Sequence, residues 1–367
     1  VSATSGPGGL TCARILQRHG ISAAVYDRDA GPHARDQGGS LDLHADDGQA
    51  ALREAGLLEE FFRLARPEGQ EMRQMDPDGG LLFHHVPEEG ELFTPEIDRG
   101  RLRDLLLDSL EPGTVRWGRT LRAVGGPAGG PRRLHFADGG TVEADLVVGA
   151  DGAWSAVRRA VSPAAPRYTG VSFLEARFHG ADTRHPDVAA LVGRGSAGAA
   201  DGKRGLFAQR NGGDHIRVSI IQRVPTDWIA AAGLALQDTE GIRALLLERF
   251  RDWSPDLLRL ITDNDGPYAD RPIFALPVPH VAEHDPAVAL LGDAAHLMPP
   301  LGVGANLAML DACELALALV RHGTVGEAVR AYERTMVPRS TETARRLDGA
   351  VHDLLSAELP DFAAGGG

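Results

Sequence analysis

The chain opens on a pattern that few folds accept. Val1–Ala3 is a stub of strand, Gly6-Pro7-Gly8-Gly9 is a turn, Leu10 to Arg18 is a helix, and Ser22 to Tyr26 is a second apolar strand ending at Asp27. Leu10, Ala13, Ile15 and Leu16 fall on one side of the helix, and Gly20 stands where a C′ glycine ends it. Strand, Gly-rich turn, helix and strand make a βαβ unit with the register of a dinucleotide-binding fold. Such a turn lets the backbone approach a pyrophosphate, and the helix N-terminus adds free N–H groups and the positive end of the helix dipole. Gly6 is then the close-approach glycine, Gly9 permits tight helix–strand packing, and Asp27, ~20 residues on, can accept hydrogen bonds from an adenosine ribose. A Gly-rich turn that binds nothing is the plain alternative. Thr4 stands where G-x-G-x-x-G has its first glycine.

Two more strand ends carry chemistry. Asp145–Val148 is a buried-type strand running into Gly149-Ala150-Asp151-Gly152, followed by Ser155-Ala156-Val157-Arg158. A polar anchor fits this segment, and so does a helix start capped by Asp151 or Ser155. Val288–Leu291 is wholly apolar, as in a parallel sheet. It delivers Gly292-Asp293-Ala294-Ala295-His296-Leu297-Met298-Pro299-Pro300, then Gly302-Val303-Gly304-Ala305-Asn306 and a helix to about Val320. His296 reads as a structural or loop-orienting histidine. The strands before Asp27, Asp151 and Asp293 belong in one sheet, their C-terminal ends facing the crevice where open α/β sheets bind ligands.

Between these motifs the pattern changes. Arg99 to Leu110 is a helix with Leu102, Leu105, Leu106 and Leu110 inward, and Leu134–Phe136, Asp138-Gly139-Gly140 and Thr141–Val142 make a hairpin. From about Arg167 to Asp270 the chain is strand-rich and irregular, with His215 to Val224 alternating as a sheet with one wet face. More helix runs from Val325 to about Ala357. The expected fold is α/β: a Rossmann-like dinucleotide-binding domain with an inserted β-sheet substrate domain and C-terminal helices. Its first part is 1–70, with an excursion toward the substrate domain at 71–98. The second part is 99–166, the substrate domain 167–270, the third part 271–322, and a C-terminal helix and tail 323–367.

Composition narrows the class. A length of 367 residues suits two or three domains, or one interrupted by another. With 43% apolar and 24% charged residues the chain is ordinary globular material rather than a disordered one. It has no apolar window of ~18 residues, so no membrane span is expected. Fifty-one acidic against 38 basic residues give −13, which argues against nucleic acid or an anionic membrane as the main partner. Cys12 and Cys313 are too few for a disulfide framework, and neither sits in a metal-ligand pair. No metal is expected. No Ser-His-Asp spacing, P-loop or zinc signature competes. A cytoplasmic monomer without a signal peptide is the expectation, with the closing Ala-Ala-Gly-Gly-Gly a frayed end.

In this order the three motifs resemble those of the FAD-dependent aromatic hydroxylases, the class A flavoprotein monooxygenases of the para-hydroxybenzoate hydroxylase fold. The resemblance covers nearly the whole chain. Within the group it looks most like the tetracycline-inactivating monooxygenases. Tyr26-Asp27-Arg28-Asp29, Arg35 with Gly38-Gly39-Ser40-Leu41-Asp42-Leu43-His44, Pro95-Glu96-Ile97-Asp98-Arg99 and the segment from Gly292 to Pro300 carry it. The resemblance implies FAD, with NADPH or NADH as reductant. Gly6 and Gly9 would flank the FAD pyrophosphate, Asp27 would hold the adenosine ribose, and Arg28 would pack near the adenine. Arg35 matches a position that meets NADPH. Asp42 and Arg99 match contacts near the isoalloxazine and ribityl chain, Asp151-Gly152 a motif serving both FAD and NAD(P)H, and Asp293 the aspartate on the ribityl chain. The loop Leu301 to Asn306, with Gly302, Gly304 and Asn306, would lie beside the pyrimidine edge. There a helix N-terminus offsets the negative charge of reduced flavin.

The activity so implied is hydroxylation, with O2, of an aromatic or polyketide-like small molecule through a flavin C4a-hydroperoxide. No protein nucleophile is needed. The tetracycline-binding positions do not carry over, since Arg217 stands where that subgroup has a strand histidine. Gln209 and Arg217 are the candidate substrate residues, and on a strand each has an even chance of facing away. Two other readings stand beside this one. The first is a non-hydroxylating flavoprotein oxidoreductase of the same fold. The second is a non-catalytic binding protein on a decayed FAD fold, which Thr4 favours.

Overall fold

The computed structural model describes residues 6–127 and 130–353, so Thr4, the opening strand stub and the glycine tail lie outside the described residues. The chain forms two compact units. One takes in the described parts of Val1–Ala65 and Phe274–Leu347, with Arg99–Arg167 between them. The other takes in Arg66–Asp98, Tyr168–Ile273 and the described part of Asp348–Gly367.

In the first unit the opening helix spans Pro7–Arg18, three residues earlier than the apolar spacing predicts. Proline is suited to the first helical position because its φ is preset and the missing N–H had no intrahelical acceptor. Gly6 is the N-cap in extended conformation, and Leu10, Ala13, Ile15 and Leu16 are buried. Gly20 takes φ 72 just past the end, the conformation a C′ glycine provides. The strand after it is only Val25–Tyr26, paired in parallel with Val115–Arg116. Val147–Gly149 pairs in parallel with Val288–Leu290, with Gly149 opposite Leu290. The strands leading to Asp151 and Asp293 therefore lie side by side and end level. Gly149 makes this possible, because a Cβ there would come within 2.7 Å of Leu290 Cδ2 and 2.8 Å of Val157 Cβ.

The predicted hairpin is present. Arg132–Phe136 pairs with Thr141–Ala144, closed by the Phe136 amide on the Gly140 carbonyl at 3.0 Å, and Leu121–Gly125 adds a third strand. The Arg99–Asp108 helix departs from expectation on its inner face. Leu102 and Leu106 are buried, Leu105 and Leu110 only half-buried, and Arg103 goes inside. Its guanidinium bonds the Pro32 carbonyl and lies 5.3 Å from the Trp117 ring centroid, so the charge enters with partners. Helices Gly304–Arg321 and Val325–Asp353 follow. Among the described residues no helix is long and apolar enough to cross a membrane.

The second unit is built on a seven-stranded sheet. Its spatial order is Ala269–Ala275, Arg167–His179, His215–Arg223, Arg204–Asn211, Ser196–Ala200, Met72–Met75 and Leu81–His85. The pair Ser196–Ala200 and Met72–Met75 is parallel. This stretch, read as strands, also contains helices Pro186–Val192, Thr239–Arg249 and Pro255–Thr262. Ile242, Leu246, Leu257, Leu260 and Ile261 from two of them cover one sheet face, against Leu174, Ala176, Leu206, Ala208, Ile216, Val218 and Ile220. Short apolar runs of this kind do not separate helix from strand by periodicity alone.

Candidate functional site

Small residues bring the loops at the strand ends of the first unit together. A Cβ on Gly8 would lie 2.7 Å from both the Ala308 carbonyl oxygen and Leu291 Cδ1. One on Gly292, where φ is 57, would lie 2.8 Å from Ala308 Cβ. The first turn of the opening helix, the end of the Val288–Leu290 strand and the early turns of the Gly304–Arg321 helix thus meet around Ala308. Gly8 makes this close packing contact, beside the Gly9 that the motif reading had assigned to packing. Both helices begin with no side-chain cap and no acidic residue in the first turn. Their first N–H groups have no intrahelical acceptor, and each start carries positive partial charge suited to an anion.

The carboxylates at the strand ends differ in what they already hold. Asp293 opens the short helical turn Asp293–His296. Its side chain is exposed and, among the described residues, accepts no hydrogen bond. The surrounding protein desolvates the carboxyl and raises its pKa, opposed by His296, Arg99 and Arg158. Asp151 is engaged in its own turn: it accepts from Ser155 Oγ, the Ala156 amide at 2.6 Å and the Val157 amide at 3.2 Å. Ser155 Oγ in turn accepts the Arg158 amide at 2.8 Å. Asp151 therefore holds the amides of its own turn, and the short 3-10 helix Arg158–Ala160 that follows has no side-chain N-cap. Gly152 takes φ 74 in the same turn.

At the end of the second strand Asp27 is buried, its Oδ1 accepting the Asp29 amide at 2.7 Å. Arg28 beside it is exposed. Arg35 is also exposed and pairs with Asp29, Nε to Oδ2 at 2.9 Å. Arg99 is exposed at the start of its helix, with its amide donating to the Gly39 carbonyl at 2.9 Å.

A fourth cluster joins Asp42 to the loop before the Gly304–Arg321 helix. Asn306, fully buried, donates from Nδ2 to the Asp42 carbonyl at 2.8 Å and to the Gly302 carbonyl at 3.4 Å. Its Oδ1 accepts the His44 amide at 2.9 Å and the Gly48 amide at 3.3 Å. Gly302, at φ 86, faces Asp42, since a Cβ there would lie 3.7 Å from Asp42 Oδ2. Asn306 is thus a stitch inside the chain.

Three participants had no assigned role in the motif reading. Arg158, buried, donates to the carbonyls of Ala153 at 2.5 Å, Asp293 at 3.2 Å and Ala294 at 3.1 Å, tying the Asp151 turn to the Asp293 turn. Its place in Ser155-Ala156-Val157-Arg158 was the available signal. Asp311, fully buried, accepts from the Gly292 amide at 2.9 Å, from His296 Nε2 at 2.6 Å and from Arg339 at 2.7 Å. Burial opposes charge on both partners, but their attraction holds His296 above and Asp311 below the ordinary ranges. His296 is therefore structural, as its motif context implied. Nothing in the sequence pointed to Asp311, since its partners come from elsewhere in the chain. The third is His44, which lies between two carboxylates.

In the second unit Gln209 and Arg217 are opposite each other on neighbouring strands. Both stand on the sheet face away from the helices, because Ala208, Ile216 and Val218 point into the core. Gln209 donates to Glu96 at 2.8 Å and Arg217 to Glu175 at 3.3 Å.

The first unit's donor set fits an FAD. It offers two uncapped helix starts for phosphate or for a ring that gains negative charge, a carboxylate that accepts no hydrogen bond among the described residues, and a buried carboxylate at the second strand end. The family described as FAD binding domain matches residues 4–200 and 282–346. Monooxygenase penA of Penicillium thymicola is 31% identical, over 93% of this chain and 91% of its own length. The 3-amino-4-hydroxybenzoate 2-monooxygenase of Streptomyces cremeus is 30% identical, over 93% of this chain and 85% of its own. Klebsiella pneumoniae HpxO, solved with FAD and uric acid, shares the fold at TM-score 0.79 and 21% identity, covering 98% of this chain and 93% of that one. The tetracycline destructase Tet(55) shares it at TM-score 0.72 and 19% identity, covering 99% and 91%. With a family match over more than half its length and relatives at least 30% identical over most of both chains, the chain belongs to the FAD binding domain family and is an FAD-dependent monooxygenase.

Proposed function

We propose that this enzyme takes electrons from NAD(P)H and uses O2 to hydroxylate an aromatic or polyketide-like small molecule, with FAD held at the strand ends of the first unit. The observation that carries the site is Asp293, a carboxylate at the end of a parallel strand that accepts no hydrogen bond among the described residues, beside two uncapped helix starts. FAD supplies the electron transfer and the oxygen chemistry. The chain's own residues bind, orient and neutralise. Asp293 accepts hydrogen bonds from ribityl hydroxyls. The amides at Gly8 and Gly9 receive the pyrophosphate, with Gly6 leaving the backbone open to it. Asp27 holds the adenosine ribose and Arg28 lies by the adenine. Asp42 and Arg99 serve the ribityl and ring end. The helix start at Gly304 to Asn306 offsets negative charge on the reduced ring. Asp151 and Gly152 shape the neighbouring turn, which Arg158 locks to Asp293.

Arg35 is the candidate for NAD(P)H. Its exposed pair with Asp29 is of a kind worth only ~0–1 kcal/mol, so the guanidinium can turn to a phosphate at little cost. Gln209 and Arg217 are proposed for substrate recognition. Relatives named for an aminohydroxybenzoate and a solved neighbour holding uric acid support a small aromatic substrate.

The test has two readings. FAD titration of Asp293→Ala should show affinity lower by about 10- to 100-fold, the range for losing hydrogen bonds to a charged group. Unchanged affinity refutes the site. NADPH and O2 consumption by the FAD-loaded wild type, against phenolic and polyketide compounds, should yield a product heavier by one oxygen. NADPH oxidation with no oxygenated product from any of them would favour the non-hydroxylating oxidoreductase.

A further inference from the structure

His44 makes more contacts with the candidate flavin site than the motif reading gave it. It follows the short strand Ser40–Asp42 and precedes the helix Gly48–Ala55. Its Nε2 lies 3.1 Å from Asp42 Oδ2, and its Nδ1 lies 3.6 Å from Asp47 Oδ2. One ring nitrogen therefore faces each carboxylate. A neutral imidazole can donate from only one nitrogen, whereas the imidazolium donates from both, so this geometry suits the protonated ring. The backbone is held as well, because the His44 amide donates to Asn306 Oδ1, and Asn306 returns a bond to the Asp42 carbonyl. Asp42 is thus fixed twice, by Asn306 at its main chain and by His44 at its side chain. The charged groups facing the ring are Asp42 from the strand and Asp47 from the loop before Gly48–Ala55. From the Gly304–Arg321 helix the neighbour is the neutral Asn306. Burial alone would lower the imidazole pKa, but bonds to Asp42 and Asp47 outweigh it and raise it to about 9.

We propose that His44 is a positioning residue: its ring, bridging Asp42 and Asp47, sets the direction of the Asp42 carboxylate toward bound FAD. The inference rests on the flavin site argued above. Freed of His44, Asp42 regains rotamer freedom and faces Asp47 without a cation between them. Both changes weaken its hold on a cofactor hydroxyl. Because the folded pKa is raised, the arrangement is complete at neutral pH and is lost as pH climbs through about 9.

The experiment is FAD titration of the flavin-depleted protein from pH 6 to 10.5, followed by flavin fluorescence, for wild type, His44→Gln and His44→Lys. Wild-type affinity should hold to about pH 8.5 and then fall. His44→Gln should bind about three- to tenfold more weakly at pH 7, the range for one ordinary hydrogen bond, and should lack the alkaline fall near pH 9. His44→Lys, which keeps a cation, should recover part of the affinity and move the fall to higher pH. Wild-type binding of FAD with the same affinity and alkaline limb in His44→Gln overturns the role of His44 and leaves the flavin site standing. Failure of wild type to take up FAD at any pH overturns the site and this inference together.

Discussion

Four aspartates in the first unit share one side-chain chemistry and do different work. Asp293 accepts no hydrogen bond among the described residues, Asp151 holds the amides of its own turn, Asp42 is paired to a histidine, and Asp311 is locked in a buried network. What separates them is the supply of donors around each. Asp311 binds His296, Arg339 and the Gly292 amide at once, with no exposure to water. Removing it leaves the buried His296 imidazolium without the carboxylate it pairs with, and leaves Arg339 with Glu314 alone. Asp311→Ala should therefore lose about 3–5 kcal/mol in urea unfolding, the range for breaking a buried pair. A loss under ~1 kcal/mol would mean that the network contributes little. The sign with pH follows from the lowered carboxyl: Asp311's contribution is complete above the ordinary aspartate pKa and is lost as pH falls below it.

Elements in this unit are placed by absent side chains. The opening helix approaches the Gly304–Arg321 helix at Gly8, where a methyl would strike the Ala308 backbone as well as the Leu291 side chain, and the backbone cannot swing away. Gly8→Ala should cost ~1–3 kcal/mol of stability. It should also lower FAD content, because the helix start would be displaced from its place beside Asp293. Gly31→Ala is the control: nothing lies within 4 Å of a Cβ there, and an open surface site stays within ~0.5 kcal/mol. Equal effects of the two substitutions, read by thermal unfolding and flavin absorbance, would remove helix packing as the explanation.

At the scale of the whole molecule, the second unit is assembled from two distant segments. Met72–Met75 and Leu81–His85 extend the sheet formed by Ala269–Ala275 and the strands between Arg167 and Arg223. If this unit selects the substrate, then exchanging 66–98 and 168–273 together for those of a relative should change which compound stimulates NADPH oxidation while FAD content holds. Unchanged selectivity in a folded, flavin-loaded chimera would place the determinants in the first unit. The local sequence determined the opening helix and the strand after it, the hairpin at Asp138-Gly139-Gly140, the order of the three motifs and the alternation from His215 to Val224. Each is a matter of near neighbours: turn chemistry, a period of two or 3.6, and a glycine where φ must be positive. Tertiary structure alone decided the rest. It chose which aspartate accepts no hydrogen bond among the described residues and which is consumed, and it set both Gln209 and Arg217 on the face away from the core. It also paired Ser196–Ala200 with Met72–Met75 and put Arg103 inside. The reason is physical. A carboxylate's role depends on the donors that reach it, and a strand's face on what packs against it. Those partners are distant along the chain and meet only in the fold.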